Sequence, residues 1–390
     1  MDIKAIRNDI QNYGSKLFLN SAGSSLMPKS IVPIILEYLR QEEDLGGYFV
    51  AEKRKEDIND FYLYAAKLIG AQPHNIAFTH DATDAYVKAL SSIPFNSGDI
   101  IITTDDDYSS NQIQFISMEQ RFGITIKRIQ TFENGDLDID HFKRLVEKQK
   151  PKLVAVTHVP TNSGLIQNVE EIGKICRDHG IIYIVDACQS VGQLSINVSD
   201  IHCDFLTTTG RKFLRGPRGT GFLYVSDRLL DLGFSPLMID CGGANWNGLH
   251  SFEMLPSARR FQTWEAPYAL ILGLTEAMRY TMEVGIERIQ NYNHTLMDRL
   301  RENLSSVHGV KMYDNGTRRA SILTFRKDGV PLDKVKKKFE EKQVFFSISP
   351  KESGVIDYDK KGIDGAIRLS PHYFNTIAEI DAVSEIIDAI

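Results

Sequence analysis

An aspartate and a lysine follow two successive apolar runs in the middle of the chain. Asp186 comes directly after the run 181–185, and Lys212 follows the run 205–207, with a glycine-rich turn at 216–221 behind it. A lysine amine forms a Schiff base with an aldehyde, and a buried aspartate holds the nitrogen of a pyridine ring protonated. This order of residues therefore predicts a pyridoxal phosphate site in which Lys212 and Asp186 are the catalytic residues.

Each of these residues also has an ordinary structural interpretation. Lys212 could be a solvated loop lysine, and Asp186 could be a helix N-cap. The hydroxyls, glycines and arginines around Lys212 favour a phosphate-bearing ligand instead. The turn GPRGTG matches no nucleotide-binding loop, so its glycines could simply permit a tight turn. Gln189 would reach the ring hydroxyl, and Cys188 would lie against the ring, either as plain packing or as a nucleophilic thiol.

Further candidates follow other apolar runs. Ala82 and Thr83 open a helix whose amides could bind a phosphate, although the same segment is equally consistent with a plain N-cap. Tyr108 could stack on a planar ring or merely pack. Arg368, a lone arginine in an apolar strand, would either reach the surface or bind a carboxylate with two parallel hydrogen bonds.

Between about residues 76 and 225, short apolar runs alternate with amphipathic stretches, as in βαβ units. We expect strands at 76–78, 100–103, 124–128, 153–157, 181–185, 205–207 and 221–224, and helices at 85–90, 111–121, 139–148 and 170–179. The pattern predicts an α/β fold with a mainly parallel seven-stranded sheet between helices. Ligands bind beyond the carboxyl ends of such strands, where the candidate residues stand.

The last third of the chain predicts a small C-terminal α+β domain. A long helix at 268–304 precedes strands at 310–313, 322–326, 344–348 and 366–369, a helix at 331–341, and a final helix that Thr376 and Glu379 open as a capping box. We expect residues 20–265 to form the large domain, and residues 1–19 with 285–390 to form the small one. The long helix would join them.

Composition agrees with small-molecule chemistry. The 390 residues are 42% hydrophobic and 25% charged, enough to bury a sizeable core. The net charge of −6 is spread along the chain, without a basic patch for nucleic acid or for a membrane. The first ten residues lack the apolar core of a signal peptide, so we expect a cytoplasmic protein. The four cysteines lack zinc-site spacing, so we expect reduced core thiols and no metal site.

Nine motifs together carry a resemblance to a known family. They are LFLNSAGSSLMP, LGGYFVAEK, FTHDATDAY, DYSSN, THVPTNSG, VDACQSVGQ, TTGRKFLRGPRGTGFLYV, RRFQTWEAP and IRLSPHYFNTIAEID. Over nearly the whole chain, the sequence resembles class V of the fold-type I pyridoxal-phosphate-dependent transferases. This set of motifs is highly specific for the cofactor and less specific for the reaction.

The resemblance implies a role for each candidate. Lys212 would be the Schiff-base lysine, and Asp186 would pair with the pyridine nitrogen. The other cofactor contacts would be Tyr108 on the ring, Gln189 with Thr161 or Asn162 at the ring hydroxyl, and Ala82, Thr83, Thr209 and Arg211 at the phosphate. Asn20 and Arg368 would bind the amino-acid substrate, Arg368 through its carboxylate. Thr263, Trp264 and Glu265 would complete the phosphate site of a neighbouring subunit, which implies a homodimer with shared active sites.

Two departures from the family pattern bear on the reaction. Cysteine desulfurases carry a mobile persulfide-forming cysteine before the carboxylate-binding arginine, and residues 347–367 contain none. The position before Lys212 is commonly histidine in desulfurases and is Arg211 here. The SAGSS and GGY segments instead resemble epimerase-like proteins and the hercynylcysteine sulfoxide lyase. We therefore expect a C–S β-lyase that acts on an S-substituted cysteine or its sulfoxide through an external aldimine. A class V aminotransferase or amino-acid epimerase is the alternative, followed by a cysteine desulfurase and a non-catalytic binding protein.

Overall fold

The computed structural model describes all residues from 1 to 390. The strands are β1 Leu17–Phe18, β2 Ile76–Thr79, β3 Ile100–Thr103, β4 Thr125–Arg128, β5 Leu153–Thr157, β6 Ile182–Asp186, β7 Phe205–Thr209, β8 Gly221–Val225, β9 Ala244–Gly248, β10 Ser251–Met254, β11 Val310–Met312, β12 Leu323–Lys327, β13 Val344–Phe345, β14 Ser347–Pro350 and β15 Gly365–Leu369.

The α-helices are α1 Ile3–Asn8, α2 Ile31–Leu45, α3 Gly47–Lys53, α4 Lys55–Ile69, α5 Ala82–Ser91, α6 Ser109–Phe122, α7 Ile139–Gln149, α8 Val169–Asp178, α9 Val198–Ile201, α10 Asp227–Asp231, α11 Tyr268–Val284, α12 Ile286–Ser306, α13 Leu332–Glu341, α14 Val355–Lys361 and α15 Ile377–Asp388. No helix is both long and apolar enough to cross a bilayer.

The larger sheet has seven strands in the order β2-β8-β7-β6-β5-β3-β4. Strand β8 alone runs in the direction opposite to the other six strands, and it is antiparallel to both β2 and β7. Strands β5 and β7 are buried along their whole length, because alternate residues contact helices on opposite faces. One face packs against Phe142 and Ile172, and the other against Tyr86 and Phe115. The predicted α/β fold and all seven predicted strands are confirmed.

A second sheet, in the order β11-β12-β15-β14, is antiparallel throughout. Its buried face packs against α12, α13 and α15 around Phe325, Phe339 and Ile367. The start of the chain joins this region, since Leu17 of β1 pairs with Val344 of β13. We retain, as a proposal, the division into a large domain at 20–265 and a small domain at 1–19 with 285–390.

Some predicted elements differ from the structure. The helix expected at 268–304 is two helices, because Gly285 has a φ of 92° and breaks the helix between α11 and α12. The strand expected at 344–348 is split into β13 and β14. Helices α2 to α4 and the hairpin β9–β10 were not predicted. The hairpin is largely exposed on both faces, so its sequence lacks the usual apolar alternation.

Candidate active site

The catalytic candidates converge because neighbouring strands end at the same edge of the sheet. Thr157, Asp186 and Thr207 pair across β5, β6 and β7. Lys212 lies in the turn that reverses the chain from β7 into antiparallel β8. This turn packs against Gly192, where a Cβ atom would lie 2.5 Å from the backbone of residues 213 and 214. Glycine at position 192 therefore permits the close approach that brings Lys212 above the strand ends.

Asp186 is buried, and each of its carboxylate oxygens accepts one hydrogen bond. The backbone N–H of Cys188 donates to Oδ1 at 2.9 Å, and the side-chain amide of Asn111 donates to Oδ2 at 3.1 Å. Burial raises the pKa of Asp186, while the charge of Lys212 acts in the opposite direction. Each oxygen keeps a second lone pair that can accept from a protonated ring nitrogen, and we propose that role for Asp186.

Lys212 is buried, and its Nζ lies 5.8 Å from the centroid of the Tyr108 ring. We propose that the ring of a planar cofactor lies against Tyr108 and that its aldehyde carbon reaches the lysine. The Cys188 thiol adjoins the same space. Its pKa is raised, chiefly by burial and against the charge of Lys212, so the thiol stays protonated. This favours packing over nucleophilic chemistry for Cys188.

A hydrogen-bonded network connects the ring side of the site with the substrate side. Gln189 donates to the Thr161 hydroxyl at 3.1 Å, and Arg368 donates to the same hydroxyl at 2.5 Å. Arg368 also donates to Ser347 at 3.2 Å, and the Ser347 hydroxyl donates to the side-chain oxygen of Asn20 at 2.5 Å. The predicted substrate residues Asn20 and Arg368 therefore meet on one serine.

Buried polar atoms without partners mark where a ligand would bind. The Gln189 Oε1 and the Arg368 Nε are buried and make no hydrogen bond. Burial lowers the pKa of Arg368 to about 10, so its guanidinium is still charged at neutral pH. Unpaired buried groups are unfavourable unless a ligand satisfies them. A phenolic hydroxyl near Gln189 and a carboxylate beside Arg368 would do so, and both belong to a cofactor–amino acid pair.

Asn162 has a different position from the one expected. Its Oδ1 accepts from Ser349 at 2.9 Å and Ser353 at 3.1 Å, and its Nδ2 donates to the Ser353 carbonyl at 3.2 Å. The side chain thus holds the segment after β14 rather than facing the ring. Residues 161–163 form a turn, in which the Thr161 hydroxyl accepts from Gln189 while Asn162 contacts the segment after β14. Of the two alternatives at the ring hydroxyl, the geometry favours Thr161.

The expected phosphate residues lie at the start of α5 and the end of β7. Asp81 caps α5 by accepting from the N–H of Asp84 at 2.8 Å, which leaves the N–H groups of Ala82 and Thr83 at the open end of the helix. Thr209 pairs with Gly221, which packs against Asp81. A helix N-terminus with free N–H groups favours an anion. The N-cap and the phosphate site are therefore compatible.

Two other predicted phosphate contacts point elsewhere. Arg211 donates to the carbonyl of Gly23, in the turn that also carries Asn20. The Trp264 side chain is 61% exposed, and its backbone N–H donates to Asp240 at 2.5 Å. Thr263 donates to the carbonyl of Glu265 at 3.2 Å. The segment 263–265 is thus presented to solvent, where a second subunit could meet it.

Several buried residues at the site were not assigned a role from the sequence. Asn111 contacts Asp186, and Thr157 and Asp107 hydrogen-bond behind it. The motif DYSSN contains a usable signal, since Asn111 stands one helical turn after Tyr108. The cysteines also differ in part from expectation, because Cys241 is exposed while Cys176 and Cys203 are buried.

Comparison with known proteins identifies the family. The aminotransferase class-V family model matches residues 17–383. A probable cysteine desulfurase from Methanothermobacter thermautotrophicus is 26% identical over 396 residues, covering 100% of this chain and 98% of that protein. The apo structure of cysteine desulfurase from Thermococcus onnurineus NA1 matches with a TM-score of 0.92 and 26% identity, covering 99% of this chain and 97% of that one.

A more distant structure has the same fold. A mutant of C-DES, with glycine covalently linked to the pyridoxal phosphate cofactor, matches with a TM-score of 0.87 at 20% identity, covering 98% of each chain. The predicted superfamily and cofactor are confirmed. The chain belongs to the aminotransferase class-V family and is a pyridoxal-phosphate-dependent enzyme that acts on an amino acid.

Proposed function

We propose that the protein is a C–S β-lyase acting on an S-substituted cysteine or its sulfoxide. The observation that supports this is the segment 347–361, which precedes Arg368 and contains no cysteine. Asn162 anchors this segment through Ser349 and Ser353. This segment therefore offers no thiol that could accept a sulfur atom from the substrate. The sulfur would instead leave still bonded to its own carbon substituent.

Three of the four cysteines offer poor acceptors, and the fourth, Cys241, lies outside the site of its own chain. Burial raises the pKa of the Cys176 and Cys203 thiols, which lie in the large apolar core. Cys188 adjoins Lys212, but its thiol also has a raised pKa. Cys241 is exposed, in a turn whose neighbouring Gly242 packs on the backbone of residues 263 and 264. The relatives are named cysteine desulfurases, and this arrangement of thiols is why we rank that activity below the lyase.

The chain's own residues would divide the work of β-elimination. When bound, pyridoxal phosphate supplies the electron sink that makes the Cα proton of an amino acid acidic. Lys212 would take that proton, and Arg368 would hold the substrate carboxylate with its planar fork. The electrons of the Cα–H bond form the Cα–Cβ double bond as the sulfur leaves Cβ with the electrons of the C–S bond. Hydrolysis of the remaining enamine yields pyruvate and ammonium.

We also propose a homodimer. Large apolar side chains are exposed on the segment that leads to the predicted shared phosphate site, namely Leu237, Met238, Trp246, Leu249, Phe252 and Trp264. A cluster of this kind on a monomer marks an interface. We expect a dimer in size-exclusion chromatography with light scattering, and we expect Trp264→Asp to weaken both dimerisation and cofactor retention. A monomeric wild-type protein that retains its cofactor would contradict the shared site.

The experiment that tests the lyase is a product analysis with cofactor-loaded protein. We would incubate it with cysteine, cysteine S-conjugates and their sulfoxides, and identify products by mass spectrometry. Pyruvate, ammonium and a sulfur product in equal amounts support the proposal. Alanine formed from cysteine in the presence of a reductant would indicate a desulfurase. Amino exchange with a keto acid would indicate an aminotransferase, and deuterium uptake at Cα without loss of the sulfur substituent an epimerase.

A further inference from the structure

A second buried carboxylate lies behind Asp186. Asp107, two residues before α6, is 4% exposed and receives hydrogen bonds on both oxygens. Its Oδ1 accepts from the Tyr108 backbone N–H at 2.7 Å, from the Asn111 amide at 3.1 Å and from the Thr157 hydroxyl. Its Oδ2 accepts from Gln112 at 2.7 Å. Burial raises the pKa of Asp107, and these hydrogen bonds lower it, because the amide and backbone groups can only donate and so favour the ionised carboxylate.

Asn111 joins the two carboxylates. Its side-chain nitrogen lies 3.1 Å from Asp107 Oδ1 and 3.1 Å from Asp186 Oδ2. A side-chain amide has two N–H groups, so one can point to each carboxylate. The position of Asn111, and with it the orientation of the Asp186 carboxylate, is therefore fixed from behind by Asp107.

Asp107 also fixes the residue on the other side of the ring space. Its side chain binds the N–H of Tyr108, where the backbone turns into α6, and the Tyr108 ring faces Lys212. We propose that Asp107 is a positioning residue, which holds Asp186 through Asn111 and Tyr108 through its backbone, and whose negative charge favours the protonated ring nitrogen. This role concerns the cofactor, and it holds whichever substrate bond the enzyme breaks.

Charge strengthens the geometric argument. Asp107 and Asp186 are both buried, and the charge of Asp107 acts together with burial to raise the pKa of Asp186. A buried negative charge raises the proton affinity of every group near it, and the nitrogen of the bound ring would be one of these. Of the charged neighbours, only Lys212 acts to lower the pKa of Asp186. Asp107 and Lys212 therefore act on the pKa of Asp186 in opposite directions.

The test is Asp107→Asn, measured by cofactor affinity and by spectroscopy. The asparagine side chain has the same shape as the carboxylate, but its NH2 group would face groups that are themselves hydrogen-bond donors. We expect the pyridoxal phosphate dissociation constant of the apoenzyme to rise roughly 10- to 100-fold, as when outer partners of ligand-holding side chains are removed from metal sites. We also expect the pH midpoint of the visible cofactor band to fall by about one unit.

Asp106→Asn is the matched control. Asp106 is the adjacent buried carboxylate of the same acidic run, but it faces Ser163 and Asp357 instead of Asn111. We expect its substitution to leave cofactor affinity and the band midpoint unchanged. Asn111→Ala should reproduce part of the loss of affinity, and the double variant should lose less than the sum of the two single losses, because both substitutions remove the contact between Asp107 and Asn111.

Two outcomes would overturn the proposal. One is a lower melting temperature of the Asp107→Asn apoenzyme with unchanged affinity and band midpoint, which would make Asp107 a purely structural cap of α6. The other is full additivity of the two substitutions. If Asp107→Asn does not fold, Asn111→Ala tests the proposal, because it removes the side chain that hydrogen-bonds to both carboxylates. Unchanged cofactor affinity in that variant would overturn the proposal.

Discussion

Gln189 and Arg368 donate hydrogen bonds to the same oxygen, the hydroxyl of Thr161, at 3.1 and 2.5 Å. Gln189 follows β6 and Arg368 lies in β15, so one small side chain connects the larger sheet with the antiparallel sheet. Because the hydroxyl accepts from both, the ring-side amide and the substrate-side guanidinium cannot move independently. The Thr161 hydroxyl would therefore hold a substrate at Arg368 and a cofactor near Gln189 at a fixed relative position.

Thr161→Val tests this connection. Valine has the same shape but no hydroxyl, so two buried donors lose their acceptor, a change worth about 1–3 kcal/mol. We expect kcat/KM to fall roughly 10- to 100-fold, whereas Thr161→Ser should keep most of the activity. Steady-state kinetics with the best substrate from the product analysis would show this. Equal losses in both variants would mean that the methyl group, and not the hydroxyl, matters.

Arg368→Lys tests the substrate carboxylate. Lysine keeps the positive charge but loses the planar fork that would bind both carboxylate oxygens. We expect KM for the amino acid to rise roughly 10- to 100-fold with a smaller change in kcat, because the contact is present in both ground and transition states. The cofactor spectrum without substrate should be unchanged. A normal KM would assign the carboxylate to another residue.

Lys212→Ala tests the covalent link. Without the amine, the cofactor can bind only non-covalently, and the proton at Cα loses its acceptor. We expect the visible band of the wild-type protein to disappear and turnover to fall by about 10³-fold or more. Absorption spectra of dialysed protein provide the measurement. A variant that kept the wild-type band would place the Schiff base on a different lysine.

Asp106 predicts a pH dependence of stability. Burial raises its pKa to about 8, the charge of Asp357 acts in the same direction, and that of Lys361 opposes it. The native state therefore holds a proton that the unfolded chain releases near its ordinary value of 3.8. This stabilisation is complete below that value and is lost as pH rises toward 8, at no more than about 1.4 kcal/mol per pH unit.

Asp106→Asn should remove this dependence. We expect its free energy of unfolding to exceed that of the wild type at pH 8 by more than at pH 5, measured by urea unfolding. Asp105→Asn is the control, because Asp105 belongs to the same acidic run but is paired with Lys360 at 2.6 Å and Arg128 at 3.5 Å. Parallel pH curves for wild type and Asp106→Asn would show that Asp106 is ionised in the folded protein.

The larger sheet and its site could be predicted from the sequence for a physical reason. Buried parallel strands are apolar runs, so a charged residue such as Asp186 directly after such a run stands out, and the strand ends meet by topology. The hydrogen-bond partners of that residue were harder to predict from the sequence. Asn111 contacts Asp186 across 75 positions of sequence, and nothing in the local pattern around an amide identifies so distant a neighbour.

The direction of side chains and the positions of helix breaks were also hard to predict from the sequence. Whether Thr161 or Asn162 faces the ring depends on which way an irregular segment turns, and composition does not fix that. Gly285 interrupts a stretch that is helical on both sides with a φ of 92°, and α12 then packs on α15 and β11. Exposed elements such as β9 and β10 lack the apolar period on which prediction depends.

The pairing of β1 with β13 has a consequence for the order of folding. Leu17 and Val344 are more than three hundred residues apart, so this contact closes one of the longest loops the chain can make. The seven-stranded sheet needs neither strand. The antiparallel sheet that carries Arg368 also needs neither strand. Asn20, two residues after β1, reaches Ser347 only when this long loop is closed. We therefore expect the contact of Asn20 with the substrate side of the site to form after Lys212 and Asp186 are in place.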